Sequence, residues 1–307
     1  MTQQNRVLEW LAQEVKASSL SQRQIAEGVG YSPSTINQVL NGNYEKPDAI
    51  IDRMVNFFRQ RHQRADIIET RNYEECQNFF DTVIPKNALG MVVGNSGFGK
   101  TKICKHYAAN HDNVAYVEID RSMNVKEVLV ALAEAMLINV AKGSLYDWKN
   151  TIKTALRKKP RHIIIDQADL LPMKAFDILR TIHDDGHCSM IFAGMPTVIS
   201  AMTSNPRYGA DMSYLYSRVR HLFNLTGPTV KDVLLFAEKF DLNVGNEMIK
   251  QLLTWISCRG EFRLLKSIFE DAKDFKQAGI MDTDEERVQA AYQNLLKRET
   301  AHDVAYA

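Results

Sequence analysis

Gly94-Asn-Ser-Gly-Phe-Gly-Lys-Thr101, or GNSGFGKT in one-letter code, is the stretch that decides the fold of this chain. An apolar run, residues 89–93, leads into it, and a segment with helical character, residues 102–110, follows. A strand, a glycine-rich turn and a helix in this order direct backbone N–H groups and the positive end of a helix at one anion. The spacing G-x-x-x-x-G-K-T therefore predicts a phosphate-binding loop, and the flanking strand and helix disfavour a chance match.

The chemistry of the loop gives each residue type a role. Its glycines allow φ values and a close backbone approach that a Cβ would block. Lys100 is spaced to reach the β- and γ-phosphates, and the Thr101 hydroxyl is spaced to bind Mg²⁺. We therefore expect ATP and Mg²⁺ as cofactors. The residues assigned to the nucleotide are Gly94, Asn95, Ser96, Gly97, Phe98, Gly99, Lys100 and Thr101.

The composition is that of an ordinary soluble protein. Its 307 residues are 45% hydrophobic and 24% charged, with a net charge of +1, and this length predicts two or three domains. No apolar run approaches the roughly 18 residues that a membrane span needs, so we expect no membrane partner. The four cysteines are far apart and include no CxxC pair. This pattern favours reduced thiols in a cytoplasmic protein over zinc or disulfides.

Residues 1–65 are predicted to form a helix-turn-helix domain. Ser21 is placed to cap a short helix, Gly28 to Gly30 to form the turn, and Ser32 with Pro33 to begin the second helix. Short polar side chains are left to face outward on that second helix: Ser34, Thr35, Asn37 and Gln38. Such side chains suit phosphates and base edges in a major groove. The alternative is a small helical bundle whose polar face is merely solvated.

Residues 66–226 alternate apolar runs with amphipathic segments. Buried strands are expected at residues 114–119, 162–166 and 189–194, and this alternation predicts a doubly wound parallel sheet. Asp166 ends one of these strands. In an open parallel sheet that end faces the ligand crevice, beside the phosphate loop. We therefore expect Asp166 to hold the Mg²⁺ together with Thr101.

Gln167 stands where many ATPases of this layout have a glutamate that polarises the attacking water. A glutamine can orient a water by hydrogen bonds but cannot accept its proton. The site is therefore expected to bind ATP well and to hydrolyse it slowly. Either the protein is naturally a slow ATP switch, or the glutamine is a deliberate substitution that traps the ATP state. Asp169 is the alternative base.

Basic residues concentrate in residues 142–161, where the single acid is Asp147. They are Lys142, Lys149, Lys153, Arg157, Lys158, Lys159 and Arg161. Apolar residues at helical spacing are expected to form the buried face of this segment: Leu145, Trp148, Ile152 and Leu156. The pattern leaves Lys149, Lys153 and Arg157 as one continuous basic row.

Such a basic row can follow the phosphate backbone of double-stranded DNA without reading its sequence. Lys142 is assigned to the same surface, and so, more weakly, is Arg121 in the loop after the second strand. The alternative is an ordinary solvated helix face, which is how most charge runs turn out.

Residues 227–307 carry four successive helical patterns with no strand signal between them. They predict a small helical lid on the α/β nucleotide domain. Arg263 is placed at the start of the third lid helix, from which it can reach back to the γ-phosphate.

Together these segments resemble an AAA+ ATPase of the kind that acts in DNA transposition. The resemblance is carried by Walker A at residues 94–101, Walker B at residues 163–166, Ser217-Arg218-Val219 before a strand and Gly260-x-x-Arg263 in the lid. It implies that Arg218 is an arginine finger on a neighbouring subunit's ATP, that Arg263 is the sensor 2 arginine, and that Thr70 lies at the nucleotide. It also implies a homo-oligomer, a helical filament on DNA that recruits a transposase.

Two departures from the family pattern put its hydrolysis cycle in doubt. Gln167 replaces the Walker B glutamate, and Met195 stands where a polar sensor 1 residue is expected. Arg220 is a rival for the arginine finger. Two functions therefore compete: a transposition ATPase with little sequence preference, and a sequence-specific regulator or replication initiator that uses the helix-turn-helix. A metabolic kinase is disfavoured because no phosphoacceptor signature is present.

Overall fold

The computed structural model describes residues 3–18, 21–45, 47–65, 67–136, 138, 140, 143–199, 217–257 and 261–305. The chain divides into two compact units, Met1–Ile67 and Ile68–Ala307. The further division of the second unit into a core and a lid at residue 226 stays a prediction. Within the described ranges, none of the helices combines the length and the apolar character needed to cross a bilayer.

The first unit is built from helices. They are α1 (Gln3–Ala17), α2 (Gln22–Val29), α3 (Pro33–Leu40) and α4 (Asp48–Ala65). Ser21 caps α2 in a reciprocal capping box with Gln24, and Ser32 caps α3 with Pro33 in its first turn. The apolar stripes of these helices meet in one core, which includes Leu11, Ile25, Ile36, Met54 and Phe58. The helix-turn-helix predicted from the capping residues is therefore present.

The turn between α2 and α3 is shorter than the sequence suggested. Gly30 ends α2 with a left-handed φ of 79°, whereas Gly28 lies inside the helix. A Cβ at Gly28 would come within 2.3 Å of the Phe57 ring. Gly28 is therefore needed for the close packing of α2 on α4, not for the turn.

The second unit is organised around a five-stranded sheet. Its strands are β1 (Leu89–Val93), β2 (Val114–Glu118), β3 (His162–Asp166), β4 (Met190–Gly194) and β5 (Val219–Asn224). They lie in the order β2-β3-β4-β1-β5 and every pairing is parallel. The predicted doubly wound parallel sheet is confirmed.

Helices cover both faces of this sheet. They are α5 (Arg71–Val83), α6 (Lys100–Asn110), α7 (Val125–Ala135), α8 (Leu145–Lys158) and α9 (Met173–Gly186). Along β3, Ile163 and Ile165 join the core shared with α7, α8 and α9, whereas Ile164 joins the core shared with α5 and α6. This alternation follows from the two-residue period of a strand, and it makes β3 apolar on both faces.

Four further helices form a separate apolar cluster after the sheet. They are α10 (Val230–Lys239), α11 (Asn246–Ile256), α12 (Phe262–Gln277) and α13 (Asp284–Ala305). The four predicted lid helices are all present. Asp232, which is 1% exposed, accepts a hydrogen bond from the backbone N–H of Arg71 at 2.8 Å and also caps α10 with Thr229. This carboxylate therefore joins the beginning of α10 to the beginning of α5.

Candidate nucleotide site and DNA-binding surfaces

The phosphate loop has the backbone geometry that its glycines predict. Gly97 and Gly99 have φ values of 88° and 90°, in the left-handed region where a side chain is strained. Gly94 has a different reason to be glycine, because a Cβ there would come within 2.9 Å of Leu225. After Gly99 the chain enters α6, so the positive end of that helix and the loop N–H groups face the same side.

Lys100 bends back over the loop. Its Nζ donates to the carbonyl oxygen of Gly94 at 2.6 Å and to that of Asn95 at 2.9 Å. Burial lowers the pKa of Lys100, and the negative charges of Asp166 and Asp169 act in the opposite direction. The ammonium therefore lies among the groups that surround the phosphate loop, where a polyphosphate would meet it.

Arg263 also acts on this site. It lies in the first turn of α12, and its positive charge is among the smaller influences that lower the pKa of Lys100, after burial. A role for Arg263 as a second cation at the phosphate loop stays a prediction. Thr70 contributes differently: its hydroxyl accepts the N–H of Tyr73 at 3.3 Å and so caps α5.

Asp166 is fully buried at the carboxyl end of β3. Its Oδ2 accepts from the hydroxyl of Tyr116 at 2.9 Å, and its Oδ1 accepts from the N–H of Gln167 at 2.8 Å. Both donors are neutral, so they orient the carboxylate without cancelling its charge. A carboxylate and the Thr101 hydroxyl are oxygen ligands of the type that Mg²⁺ takes beside substrate phosphates. These two residues fit the metal and would hold it.

Gln167 is held in an unusual conformation beside that carboxylate. Its φ of 54° places it in the left-handed region, and its Nε2 donates to Glu118 Oε1 at 2.8 Å. Glu118 ends β2 and is the register partner of Asp166 on β3. It also forms an ion pair with Lys105 at 2.7 Å. The hydrogen bond from Lys105, first, and then those from Gln167 and Tyr116, lower the pKa of Glu118.

Sequence reasoning did not single out Glu118. The available signal was its position near the end of the strand predicted at residues 114–119, which pairs with the Walker B strand. That pairing is a property of the sheet order, and a single sequence does not reveal it.

Asp169 has a structural partner at the end of β4. Its Oδ1 accepts the backbone N–H of Met195 at 2.9 Å. A Cβ at Gly194 would come within 2.7 Å of the same oxygen. Asp169 therefore fixes the chain as it leaves β4, while the Met195 side chain is 38% exposed.

Arg218 and the phosphate loop lie at opposite ends of the parallel strands. It immediately precedes β5, at the amino end of the strand, whereas the loop follows the carboxyl end of β1. Its Nη1 contacts Asp184 Oδ1 at 3.0 Å and Oδ2 at 3.1 Å, and its side chain is 51% exposed. Arg218 therefore cannot act on the phosphates bound by its own loop. Arg220, the rival candidate, is exposed on β5.

In the basic row predicted on α8, the central residue, Lys153, is already paired with an acid, and contact of the row with DNA stays a prediction. Lys153 forms an ion pair with Asp185 of α9 at 2.5 Å, and only 16% of the Lys153 side chain is exposed. Arg157 donates from Nε to the backbone carbonyl of Asp185 at 2.9 Å. The helical spacing was right, but α9 packs beside this face and supplies the acid. The hydrogen bond from Lys153 is the main cause of the lowered pKa of Asp185, and the charges of Arg157 and Lys149 add to it. Lys149 Nζ lies 5.7 Å from the centre of the Tyr146 ring.

Three other residues predicted for this helix and surface have separate outcomes. Leu145 was expected in the buried face of α8, but it is 40% exposed at the first turn, where α8 has not yet reached the core. Arg121 is exposed in the turn after β2, so it stays available to a ligand. Lys142 lies outside the described residues.

The outward face of the helix-turn-helix is partly organised by its own side chains. Ser34 and Gln38 are exposed, and Thr35 shares a hydrogen bond with the capping hydroxyl of Ser32 at 2.8 Å. Asn37 forms a reciprocal pair with Gln22 of α2, at 3.1 and 3.2 Å. The amide groups at this surface are therefore held in fixed positions on two helices.

Two family models match the chain. Residues 86–202 match a model described as an AAA domain, and residues 11–60 match one described as a helix-turn-helix. These ranges coincide with the phosphate loop and the first strands of the sheet, and with the core of the helical unit. The chain therefore has an AAA domain preceded by a helix-turn-helix domain.

Curated relatives align over most of the chain. It is 24% identical over 275 residues to the Mu-like prophage FluMu DNA transposition protein B of Haemophilus influenzae, covering 84% of this chain and 93% of that protein. It is 25% identical over 252 residues to the ATP-dependent target DNA activator B of Escherichia phage Mu, covering 79% of this chain and 80% of that protein. The protein of the same name from Escherichia phage D108 matches over the same shares.

Solved structures share the fold at lower identity. Cdc6p from Pyrobaculum aerophilum aligns with a TM-score of 0.52 and 15% identity, over 70% of this chain and 65% of that chain. A Walker-type ATPase of Pyrococcus abyssi aligns with a TM-score of 0.50 and 13% identity, over 80% of this chain and 77% of that chain. At these identities the likeness concerns the fold alone.

Proposed function

We propose that this protein is an ATP-dependent DNA-binding ATPase that selects target DNA and recruits a transposase to it. The observation that carries the proposal is the presence, on one chain, of a complete phosphate loop with a buried strand-end aspartate and of a helix-turn-helix. The relatives whose names describe DNA transposition and target DNA activation align with 79–84% of the chain.

Assembly into a homo-oligomer, a helical filament on double-stranded DNA, is part of the proposal. Arg218 supports this assembly, because the half-exposed cation lies at the amino end of β5, away from the phosphate loop of its own chain. When protomers stack, such a residue can meet the nucleotide of the next subunit and act as an arginine finger. Before protomers stack, the ion pair with Asp184 holds the Arg218 side chain in place.

The DNA contacts in this proposal are largely independent of sequence. Lys149 and Arg121 are available cations of the ATPase unit, and such residues bind phosphates with little discrimination among bases. Slow hydrolysis accompanies this role. Gln167 cannot accept a proton, so the ATP-bound form, which binds DNA, persists.

A second candidate function rests on the outward face of the helix-turn-helix. Ser34, Gln38 and the paired amides of Asn37 and Gln22 are suited to base edges. In that case the helical unit chooses a specific site, and the ATPase unit assembles a regulator or a replication initiator there.

Fluorescence anisotropy on several unrelated duplexes, with ATP, ADP or no nucleotide, separates the two functions. The transposition proposal expects ATP-dependent binding to every duplex with similar affinity, a uniform loss of affinity with salt, and filaments in electron micrographs of the same mixtures. Tight binding to one duplex, with a loss of about 1–3 kcal/mol per mismatched base pair, favours the second function. Binding that is indifferent to ATP contradicts the first.

A further inference from the structure

The carboxylate that Gln167 does not provide is present on the neighbouring strand. Glu118 ends β2 beside the end of β3, and the hydrogen bond from Gln167 Nε2 to Glu118 Oε1, at 2.8 Å, joins the two side chains. The pair therefore contains the amide of Gln167 and the carboxylate of Glu118. The negative charge is on Glu118 and not on the residue that follows Asp166.

Hydrogen bonds connect this pair to the Mg²⁺ ligand. Tyr116 donates to Asp166 Oδ2 at 2.9 Å and lies 3.4 Å from Glu118 Oε2. The N–H of Gln167 donates to Asp166 Oδ1 at 2.8 Å. These contacts close a ring through Tyr116, Asp166, Gln167 and Glu118. The position of the Glu118 carboxylate is thus fixed relative to the residue that would hold the metal.

We propose that Glu118 is the catalytic carboxylate of ATP hydrolysis, with Gln167 as the residue that positions it. This inference rests on the proposed ATPase function. The Glu118 side chain is 39% exposed, so water reaches it. A carboxylate has about four acceptor sites on its two oxygens, and the contacts with Lys105, Gln167 and Tyr116 leave room for a water.

The chemical step balances with the groups named. A water held by Glu118 attacks the γ-phosphorus of ATP, and its oxygen forms the new P–O bond. The bond between the γ-phosphorus and the bridging oxygen breaks, and ADP leaves with the electron pair. Glu118 accepts the proton that the water loses and later returns it to solvent.

The ion pair with Lys105 explains why this carboxylate gives slow turnover. Lys105 lies on α6, the helix that follows the phosphate loop, and its 2.7 Å contact competes with the water for Glu118. Asp169 is the rival base in the same site. Its Oδ1 is already occupied by the N–H of Met195, which makes it the weaker choice.

The test exchanges the two side chains across their hydrogen bond. Glu118→Gln, Gln167→Glu, the double variant Glu118→Gln/Gln167→Glu and Asp169→Asn are compared with Glu134→Gln, which changes an exposed glutamate on α7. Two quantities are measured: the affinity for a fluorescent ATP analogue in the presence of Mg²⁺, and kcat and KM for phosphate release.

Glu118→Gln is expected to lower kcat by about 10²- to 10⁴-fold, the usual contribution of a general base. Its affinity for the ATP analogue is expected to stay within about threefold, because no phosphate contact is removed. The double variant is expected to regain activity, since it restores one carboxylate and one amide in the same pair. Asp169→Asn is expected to lose less of kcat than Glu118→Gln, and Glu134→Gln, the control outside the site, is expected to keep the kcat of the unmodified protein.

Other outcomes overturn the inference. If Glu118→Gln turns over at the unmodified rate, or if Asp169→Asn alone abolishes turnover, the base lies elsewhere while the ATPase function stands. If Glu118→Gln loses affinity for the ATP analogue and kcat together, and the double variant does not regain them, Glu118 maintains the structure of the site and is not the base. If the unmodified protein neither binds nor hydrolyses ATP, the proposed function itself fails.

Discussion

Two charged regions of the second unit are built in opposite ways. At the carboxyl edge of the sheet, Asp166 is buried and is held by neutral donors, so its charge remains available to a ligand. On α8, Lys153 carries a charge that is already matched by Asp185 of the neighbouring helix. A charge pattern in the sequence therefore identifies a site only where the charge is not already held in a direct ion pair.

The difference follows from what packs against each region. The strand ends open into a crevice, because in a parallel sheet the chain leaves each strand there and the helices begin beyond it. The face of α8 that carries Lys153 lies against α9, and α9 carries its own charged residues to that contact.

Asp166→Asn is expected to reduce Mg²⁺-dependent ATP hydrolysis by at least about 100-fold, because a neutral amide is a poor ligand for a hard cation. Phosphate release measured over a range of Mg²⁺ concentrations checks this loss, with Asp112→Asn, an exposed change before β2, as the control. Unchanged Mg²⁺ dependence in Asp166→Asn means that the buried carboxylate is only structural.

Lys100→Ala is expected to weaken ATP binding by about 10- to 100-fold, since a charge-assisted hydrogen bond contributes roughly 1.5–3 kcal/mol. Equilibrium binding of the same analogue checks this. Lys86→Ala removes a lysine that precedes β1 at the other end of the sheet, and it is expected to bind normally. Equal losses in both variants indicate a general electrostatic effect instead of a defined phosphate contact.

Lys149→Ala is expected to weaken DNA binding several-fold on every duplex and to lower the salt dependence of binding by about one unit of slope. Anisotropy over a range of salt concentrations gives both values. If the slope is unchanged, Lys149 does not contact a phosphate, and the DNA lies elsewhere on the molecule.

Lys153→Ala is expected to have the smallest effect on DNA, about twofold or less, because its charge is already paired with Asp185. Asp185→Asn sharpens the comparison: by releasing Lys153 it is expected to strengthen DNA binding slightly. A loss with Lys153→Ala as large as that with Lys149→Ala means that the ion pair with Asp185 does not keep Lys153 from contacting DNA.

The amino-acid sequence determined the local elements of this protein. Strands, caps and helices follow from contacts between residues close in the chain: the apolar run before Gly94, the capping pair of Ser21 and Gln24, and Asp166 at the end of β3. The phosphate loop was predictable for the same reason. Its glycines, Lys100 and Thr101 lie within eight consecutive residues, so their spacing alone fixes their geometry.

Only the tertiary structure decided which distant side chains meet. Glu118 and Gln167 are 49 residues apart in the chain, and they form a pair because β2 lies beside β3 in the sheet. Lys153 and Asp185 meet because α8 packs on α9, and Arg218 lies away from the phosphate loop because β5 runs parallel to β1. The order of strands and the packing of helices set these contacts, and neither is encoded in the spacing of residues along one segment.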